Sequence, residues 1–149
     1  MKYYFYKKTS MEFTFSLDNI KDAARKFIDL INHHKVITFS GELGAGKTTF
    51  ISTLCRVLGI QEVASSPTFA LIHEYTGRNK SIIYHIDLYR IQNMQEVIDA
   101  GIEDCIRSNN LCFVEWPERA SDLFPDETVR GTLIIISDRE RKLIVELPQ

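Results

Sequence analysis

Residues Gly41 to Thr48 read GELGAGKT, and this octapeptide limits the possible folds more than any other stretch of the chain. It satisfies G-x-x-x-x-G-K-[ST] at every fixed position. Gly41, Gly44 and Gly46 permit a tight turn whose successive N–H groups face a single anion. Lys47 adds a compact cation suited to β- and γ-phosphates, and the Thr48 hydroxyl is a natural Mg²⁺ ligand. The flanks agree with this reading. Val36-Ile37-Thr38-Phe39 is β-branched and aromatic, which predicts a buried strand. Ile51, Leu54, Cys55 and Leu58 then recur at helical spacing, and Gly59 stops the helix. A strand, a glycine-rich turn and a helix in that order form the phosphate-binding unit of an α/β sheet. The helix adds the positive end of its dipole at the loop.

The 149 residues make one domain with room for a proper core. Net charge is −2, so there is no overall basic field for nucleic acid. Any RNA contact is expected to be local or made through a partner. Cys55, Cys105 and Cys112 form no C-x-x-C pair and lie in apolar patterns, which predicts buried free thiols in a reducing compartment. The N-terminus lacks an apolar stretch of signal-peptide length, and the aliphatic run Leu133 to Ile136 is far too short to span a bilayer. A cytoplasmic protein without membrane attachment is expected.

Along the chain, Glu12 to Ser16 alternates like a strand. Ile20, Ala23, Ala24, Phe27 and Ile31 mark an amphipathic helix, with Ser16 or Asp18 as candidate N-caps. Ser65-Ser66-Pro67 is a break. Phe69 to Tyr75 and Ser81 to Ile86 predict a hairpin around the polar turn Thr76 to Lys80. Met94 to Arg107 predicts one or two short helices broken near Gly101. Leu111 to Val114 is a continuous apolar strand. Arg130 to Ser137 and Lys142 to Leu147 predict a closing hairpin around Asp138 to Arg141. The expected fold is α/β, a single P-loop domain with a mixed central sheet flanked by helices.

Turnover needs an acid beyond the phosphate loop, to hold Mg²⁺ or to orient the attacking water. Two strand-end carboxylates qualify. Glu115 follows four apolar residues, and Asp87 ends the β-rich run from Ile82. Pattern alone does not rank them. Thr68 closes the rigid corner Ser65-Ser66-Pro67-Thr68 and reads either as a sensor of the γ-phosphate or as a turn hydroxyl. Trp116 reads as a packing residue or as one beside the nucleotide. His85 reads as a satisfied polar side chain within a strand, and Arg90 and Arg119 as surface ion-pair formers.

Four blocks carry a resemblance: GELGAGKTTF from Gly41, SSPTFALIHEY from Ser65, HIDLYR from His85 and VEWPER from Val114. Together they resemble the bacterial ATPase family of tRNA threonylcarbamoyladenosine biosynthesis, the TsaE (YjeE-like) family. The resemblance implies Mg²⁺-ATP binding and a weak intrinsic ATPase. It implies work beside two partner proteins that transfer a threonylcarbamoyl group to the adenosine next to the anticodon, so that tRNA is met through the complex. Leu43, Gly44, Ala45, Gly46, Lys47, Thr48 and Thr49 would bind the nucleotide phosphates. Thr48 and Glu115 would hold Mg²⁺, directly or through water. Thr68, Asp87 and Glu115 would serve hydrolysis, with Thr68 in a switch-like segment and Trp116 beside the site. Base contacts would come from around Ser16 and the Arg139 to Arg141 turn. Residues 1–10 look like an extension outside the family pattern.

Three other readings of the loop are a small-molecule kinase, a GTPase switch and a nucleotide-binding scaffold without useful turnover. The segment Arg119 to Pro125 has one arginine and is short for a kinase lid. Neither N-K-x-D nor D-x-x-G occurs, which disfavours a GTPase.

Overall fold

In the computed structural model, residues 9–148 are described. Seven strands are present: β1 (Thr9–Ser16), β2 (Val36–Ser40), β3 (Ile72–Thr76), β4 (Ile82–Asp87), β5 (Leu111–Glu115), β6 (Val129–Ile135) and β7 (Glu140–Leu147). Four α-helices accompany them: α1 (Ile20–Ile31), α2 (Lys47–Val57), α3 (Met94–Asp99) and α4 (Ile102–Arg107). The strands form one sheet in the order β1-β7-β6-β2-β5-β4-β3. Its centre, β6-β2-β5-β4, is parallel. The β6–β7 hairpin, with β1 on β7, extends one side antiparallel, and β3 closes the other. The expected mixed α/β sheet is therefore observed.

β2 and β5 are buried on both faces, as strands covered on both sides must be, whereas β6 alternates buried and exposed residues. Alternate residues of β2 feed two cores. Ile37 and Phe39 join α1 and α2 in one cluster, built on Phe27, Phe50, Ile51 and Leu54. Val36 joins α3 and α4 in the other, with Ile86, Val97, Ile102 and Val114. Beneath the phosphate loop, Phe27, Phe39 and Phe50 meet at centroid distances of 5.5–5.7 Å in tilted and edge-to-face pairs. Gly131 lies opposite Phe39 in the β2–β6 register, and a Cβ there would meet the Phe39 ring at 3.1 Å. A side chain at this place on β6 would crowd the Phe39 ring.

Several element boundaries differ from expectation. The cap of α1 is Asn19, not Ser16 or Asp18; its side-chain oxygen accepts from the Ser16 N–H at 2.7 Å. The expected strand from Phe69 starts only at Ile72. Before it, Leu71 takes a positive φ of 66° and donates its N–H to the Pro67 carbonyl, which curls the chain. The last strand begins at Glu140, inside the expected turn, because β7 pairs with both β1 and β6. Cys55 and Cys112 are buried free thiols as expected, each pushed up to about 12 by burial, whereas Cys105 is only half-buried. Of the expected N-terminal extension, residues 1–8 lie outside the described residues, and Thr9 and Ser10 belong to β1 opposite Leu147 and Glu146. Among the described residues no helix is long and apolar enough to cross a membrane.

Phe27 is fully buried and lines neither cavity beside the loop, so Phe27→Ala tests the core. A urea unfolding series should show a loss of about 3–5 kcal/mol, set by the transfer and cavity costs of a deleted aromatic ring.

Candidate functional site

The parallel register brings the functional side chains together. Phe39 pairs with Glu115 across β2 and β5, and Asp87 pairs with Glu115 across β4 and β5. Both carboxylates therefore sit at carboxyl ends of strands, beside the turn that leads from β2 into α2. Gly41 opens that turn at φ 152°, and a Cβ there would lie 2.7 Å from the Leu133 carbonyl oxygen. A residue with a side chain at this position would push the loop off β6.

A cavity of about 300 Å³ opens at this end of the sheet. Leu43, Gly44, Gly46, Lys47, Thr48 and Thr49 line one side; Thr68, Asp87, Glu115 and Trp116 line the other, with Ser66 and Tyr89. Among Leu43 to Thr49, Thr68, Asp87 and Glu115, only Ala45 is absent from this lining. It is fully buried, and its carbonyl accepts from Arg141 Nε at 3.1 Å. Arg141 also bonds the Ser137 and Glu140 carbonyls at 2.7 and 3.0 Å, so one guanidinium ties the β6–β7 turn to the phosphate loop. A second cavity, about 200 Å³, adjoins Gly44 to Gly46 between Phe15, Ser16 and Ile20 on one side and Arg139 and Arg141 on the other.

Two like charges face one another at the strand ends, an arrangement that is unfavourable alone. Polar neighbours offset it. Thr48 Oγ1 donates to Glu115 Oε1 at 2.8 Å, and His85 Nε2 lies 2.7 Å from Glu115 Oε2. Thr68 Oγ1 donates to Asp87 Oδ2 at 3.0 Å, and the Tyr89 N–H donates to Asp87 Oδ1 at 2.9 Å. The Ser66 hydroxyl sits between the acids. Its closer partner is Asp87 Oδ2, with Glu115 Oε2 at 3.3 Å. Among the described residues no group of three or more His, Cys, Asp or Glu side chains converges as a metal cage. The donors here are one hydroxyl and one or two carboxylates. That is the protein's usual share when phosphate oxygens and water complete an octahedral Mg²⁺ shell.

Lys47 is buried, and its ammonium donates to the Gly41 carbonyl and to the Glu42 carbonyl, the latter at 3.0 Å. Among the described residues no third hydrogen bond of this ammonium is seen. Burial lowers its pKa from the ordinary lysine value; Glu115, Glu118, Asp87 and Glu42 oppose the shift. The ammonium lies 4.1 Å from the centre of the Trp116 ring. Trp116 takes a left-handed φ of 58°, uncommon for so bulky a residue, and its ring meets Tyr89 at 4.9 Å. Trp116 is thus both a packing residue and part of the cavity wall.

Sequence reasoning overlooked Ser66 as a site residue, although it stands two residues before Thr68. It read His85 as merely satisfied. Strand alternation was the available signal: His85 and Asp87 are two apart and share a face of β4. Among the described residues Arg90 and Arg119 form no ion pairs. Their guanidiniums lie over the rings of Phe69 and Tyr89 at 4.1 and 5.7 Å.

Residues 14–143, which include every site residue named above, match the family model of threonylcarbamoyl adenosine biosynthesis protein TsaE. The chain belongs to the TsaE family. Three curated family members are each a tRNA threonylcarbamoyladenosine biosynthesis protein TsaE. That of Treponema pallidum (strain Nichols) is 37% identical over 116 residues, 78% of this chain and 84% of the relative. That of Bacillus subtilis (strain 168) is 36% identical over 110 residues, 72% of this chain and 66% of the relative. That of Rickettsia bellii (strain RML369-C) is 31% identical over 127 residues, 85% of this chain and 87% of the relative. The fold is that of the crystal structure of Bacillus subtilis YdiB, at a TM-score of 0.75 and 24% identity, covering 97% of this chain and 89% of that one.

Ser66 is the TsaE-family residue whose structural role here is easiest to isolate. Ser66→Ala removes the hydroxyl between Asp87 and Glu115 and leaves both acids less well satisfied. Chemical denaturation of the nucleotide-free protein should show a loss of about 1–3 kcal/mol; an unchanged midpoint would mean that water replaces the hydroxyl at no cost.

Proposed function

We propose that this chain is a Mg²⁺-dependent ATPase serving threonylcarbamoylation of the tRNA adenosine next to the anticodon. The observation that carries this reading is the convergence of Lys47, Thr48, Asp87 and Glu115 on one cavity at the carboxyl ends of β2, β4 and β5. Membership of the TsaE family supplies the pathway, and the site supplies the chemistry.

The loop from Leu43 to Thr49 would cradle the phosphates with its backbone N–H groups and the N-terminus of α2. Lys47 would turn its remaining donor to the β- and γ-phosphates. Thr48 and Glu115, with Asp87 alongside, would hold Mg²⁺, whose charge offsets that on the reacting phosphate oxygens. Asp87, steadied by Thr68 and the Tyr89 N–H, would orient the attacking water. The adenosine would lie in the cavity beside the loop, between Phe15 and Ser16 and the Arg139–Arg141 turn.

Ser66 and Thr68 bind the same carboxylates that would serve the metal. Metal binding and the position of the segment around Thr68 would therefore compete, and this is how nucleotide state would be read by partners. Those partners would be the two proteins that carry out the transfer, and hydrolysis would reset their complex. With a net charge of −2, this chain would meet tRNA through that complex.

The deciding experiment measures ATP hydrolysis and modified-tRNA yield with and without purified partners. Slow turnover alone and faster turnover with partners are expected. If partners and tRNA change neither the rate nor the yield, the proposal is wrong. Paired variants separate catalysis from binding. Lys47→Ala should weaken ATP binding about tenfold or more in calorimetry, because one charge-assisted contact contributes about 1.5–3 kcal/mol. Glu115→Ala should keep ATP binding and lose Mg²⁺-dependent turnover. Full tRNA modification by either variant would favour a scaffold without useful turnover.

A further inference from the structure

We infer that His85 is the positioning residue for Glu115: its Nε2–H holds one carboxylate oxygen so that the other faces Thr48. This rests on the reading of Glu115 as the metal-side carboxylate. The geometry is direct. His85 is fully buried on β4, and its Nε2 lies 2.7 Å from Glu115 Oε2. The other oxygen, Oε1, takes the Thr48 hydroxyl at 2.8 Å. Glu115 is 2% exposed, so solvent does little to orient it. Held at both oxygens, the carboxylate has one orientation, with Oε1 toward the phosphate loop.

The second ring nitrogen argues that His85 is more than a satisfied core residue. Nδ1 is buried and has no hydrogen-bond partner among the described residues. A proton there would be an orphaned donor in the interior, which is costly. The proton therefore sits on Nε2, aimed at Glu115, and Nδ1 is left bare. The nearest other imidazole, His73, stands edge-on at 6.4 Å, and its own Nδ1 is 3.2 Å from the Tyr75 hydroxyl. A histidine kept for packing alone would not be expected to leave one nitrogen unpaired while spending the other on a carboxylate. Outer partners that orient a metal's carboxylate typically change metal affinity or activity by about 10–100-fold when removed.

The test uses the full chain with its partners and varies Mg²⁺. His85→Leu removes the donor. His85→Asn keeps an amide but stops short of Glu115. His85→Gln carries an amide N–H to about the place of Nε2. Leu and Asn are expected to raise the Mg²⁺ concentration for half-maximal turnover by about tenfold or more. ATP affinity measured in EDTA should change little, whereas the Asn and Leu variants, which leave Glu115 Oε2 without this donor, should melt at a lower temperature. Gln should restore most of the Mg²⁺ response, a rescue that a merely structural role would not give. Nitrogen-15 spectra of the nucleotide-free protein, assigned against His85→Gln, should show the proton on Nε2 and a bare Nδ1. An unchanged Mg²⁺ response in the Asn variant, failure of Gln to rescue, or a proton on Nδ1 would each overturn the inference. Absence of Mg²⁺-dependent turnover in the unsubstituted protein would instead defeat the ATPase reading, and the spectra would then decide the His85–Glu115 pairing by themselves.

Discussion

The parallel hydrogen bonding of β5 between β2 and β4 is the constraint on which the site depends. It aligns the carboxyl ends of three strands that are far apart in sequence. Phe39 at the end of β2, Glu115 on β5 and Asp87 on β4 fall in one row. The chain leaves that row through the phosphate loop. A shift of one residue in either pairing would turn Glu115 or Asp87 to the opposite face, since side chains alternate along a strand. The apolar stretches Val36 to Phe39 and Cys112 to Val114, buried on both faces, hold this register.

Placing two carboxylates side by side carries an electrostatic penalty, and the surrounding residues are chosen to offset it. Thr48, Ser66 and Thr68 supply hydroxyls, His85 an imidazole nitrogen and Tyr89 a backbone N–H. Lys47, lowered in pKa mainly by burial, brings a cation that is held by two loop carbonyls and lies against the Trp116 ring. The arrangement is satisfied without ligand and also suited to exchange. Hydroxyl donors leave carboxylate oxygens at small cost when a stronger cationic partner arrives. The aromatic cluster below and the Arg141 tie from the β6–β7 turn keep the loop itself in place. An aromatic floor under the loop and hydroxyl contacts around the acids give the two sides of the cavity different character.

Local signals in the sequence were sufficient where one segment carries the whole physical reason. The loop is of this kind, because glycines, lysine and threonine act within eight residues of one another. The helix pattern of α1, the break between α3 and α4 at Gly101, and the two hairpins also follow from local periodicity and turn chemistry. Boundaries failed where a particular hydrogen bond, local or from a distant strand, overrode the preference read from residue type. Leu71 extends no strand because its N–H goes back to Pro67, and β7 starts early because β1 supplies a second set of partners. Asn19 rather than Ser16 stands at the N-cap position of α1, and its side chain bonds back to the Ser16 N–H instead of to the helix.

By itself the sequence determined that this chain carries a phosphate loop in an α/β domain, and its four blocks pointed to the TsaE family. It also named both acids as candidates, since Glu115 ends an apolar run and Asp87 a β-rich one. The tertiary structure alone decided that these acids are register partners, that Ser66 stands between them and that His85 reaches Glu115 from the neighbouring strand. The reason is physical. A local motif needs only the geometry of consecutive peptide units, whereas a carboxylate's orientation depends on side chains delivered by separate strands. Their meeting is set by sheet register, which no single segment encodes.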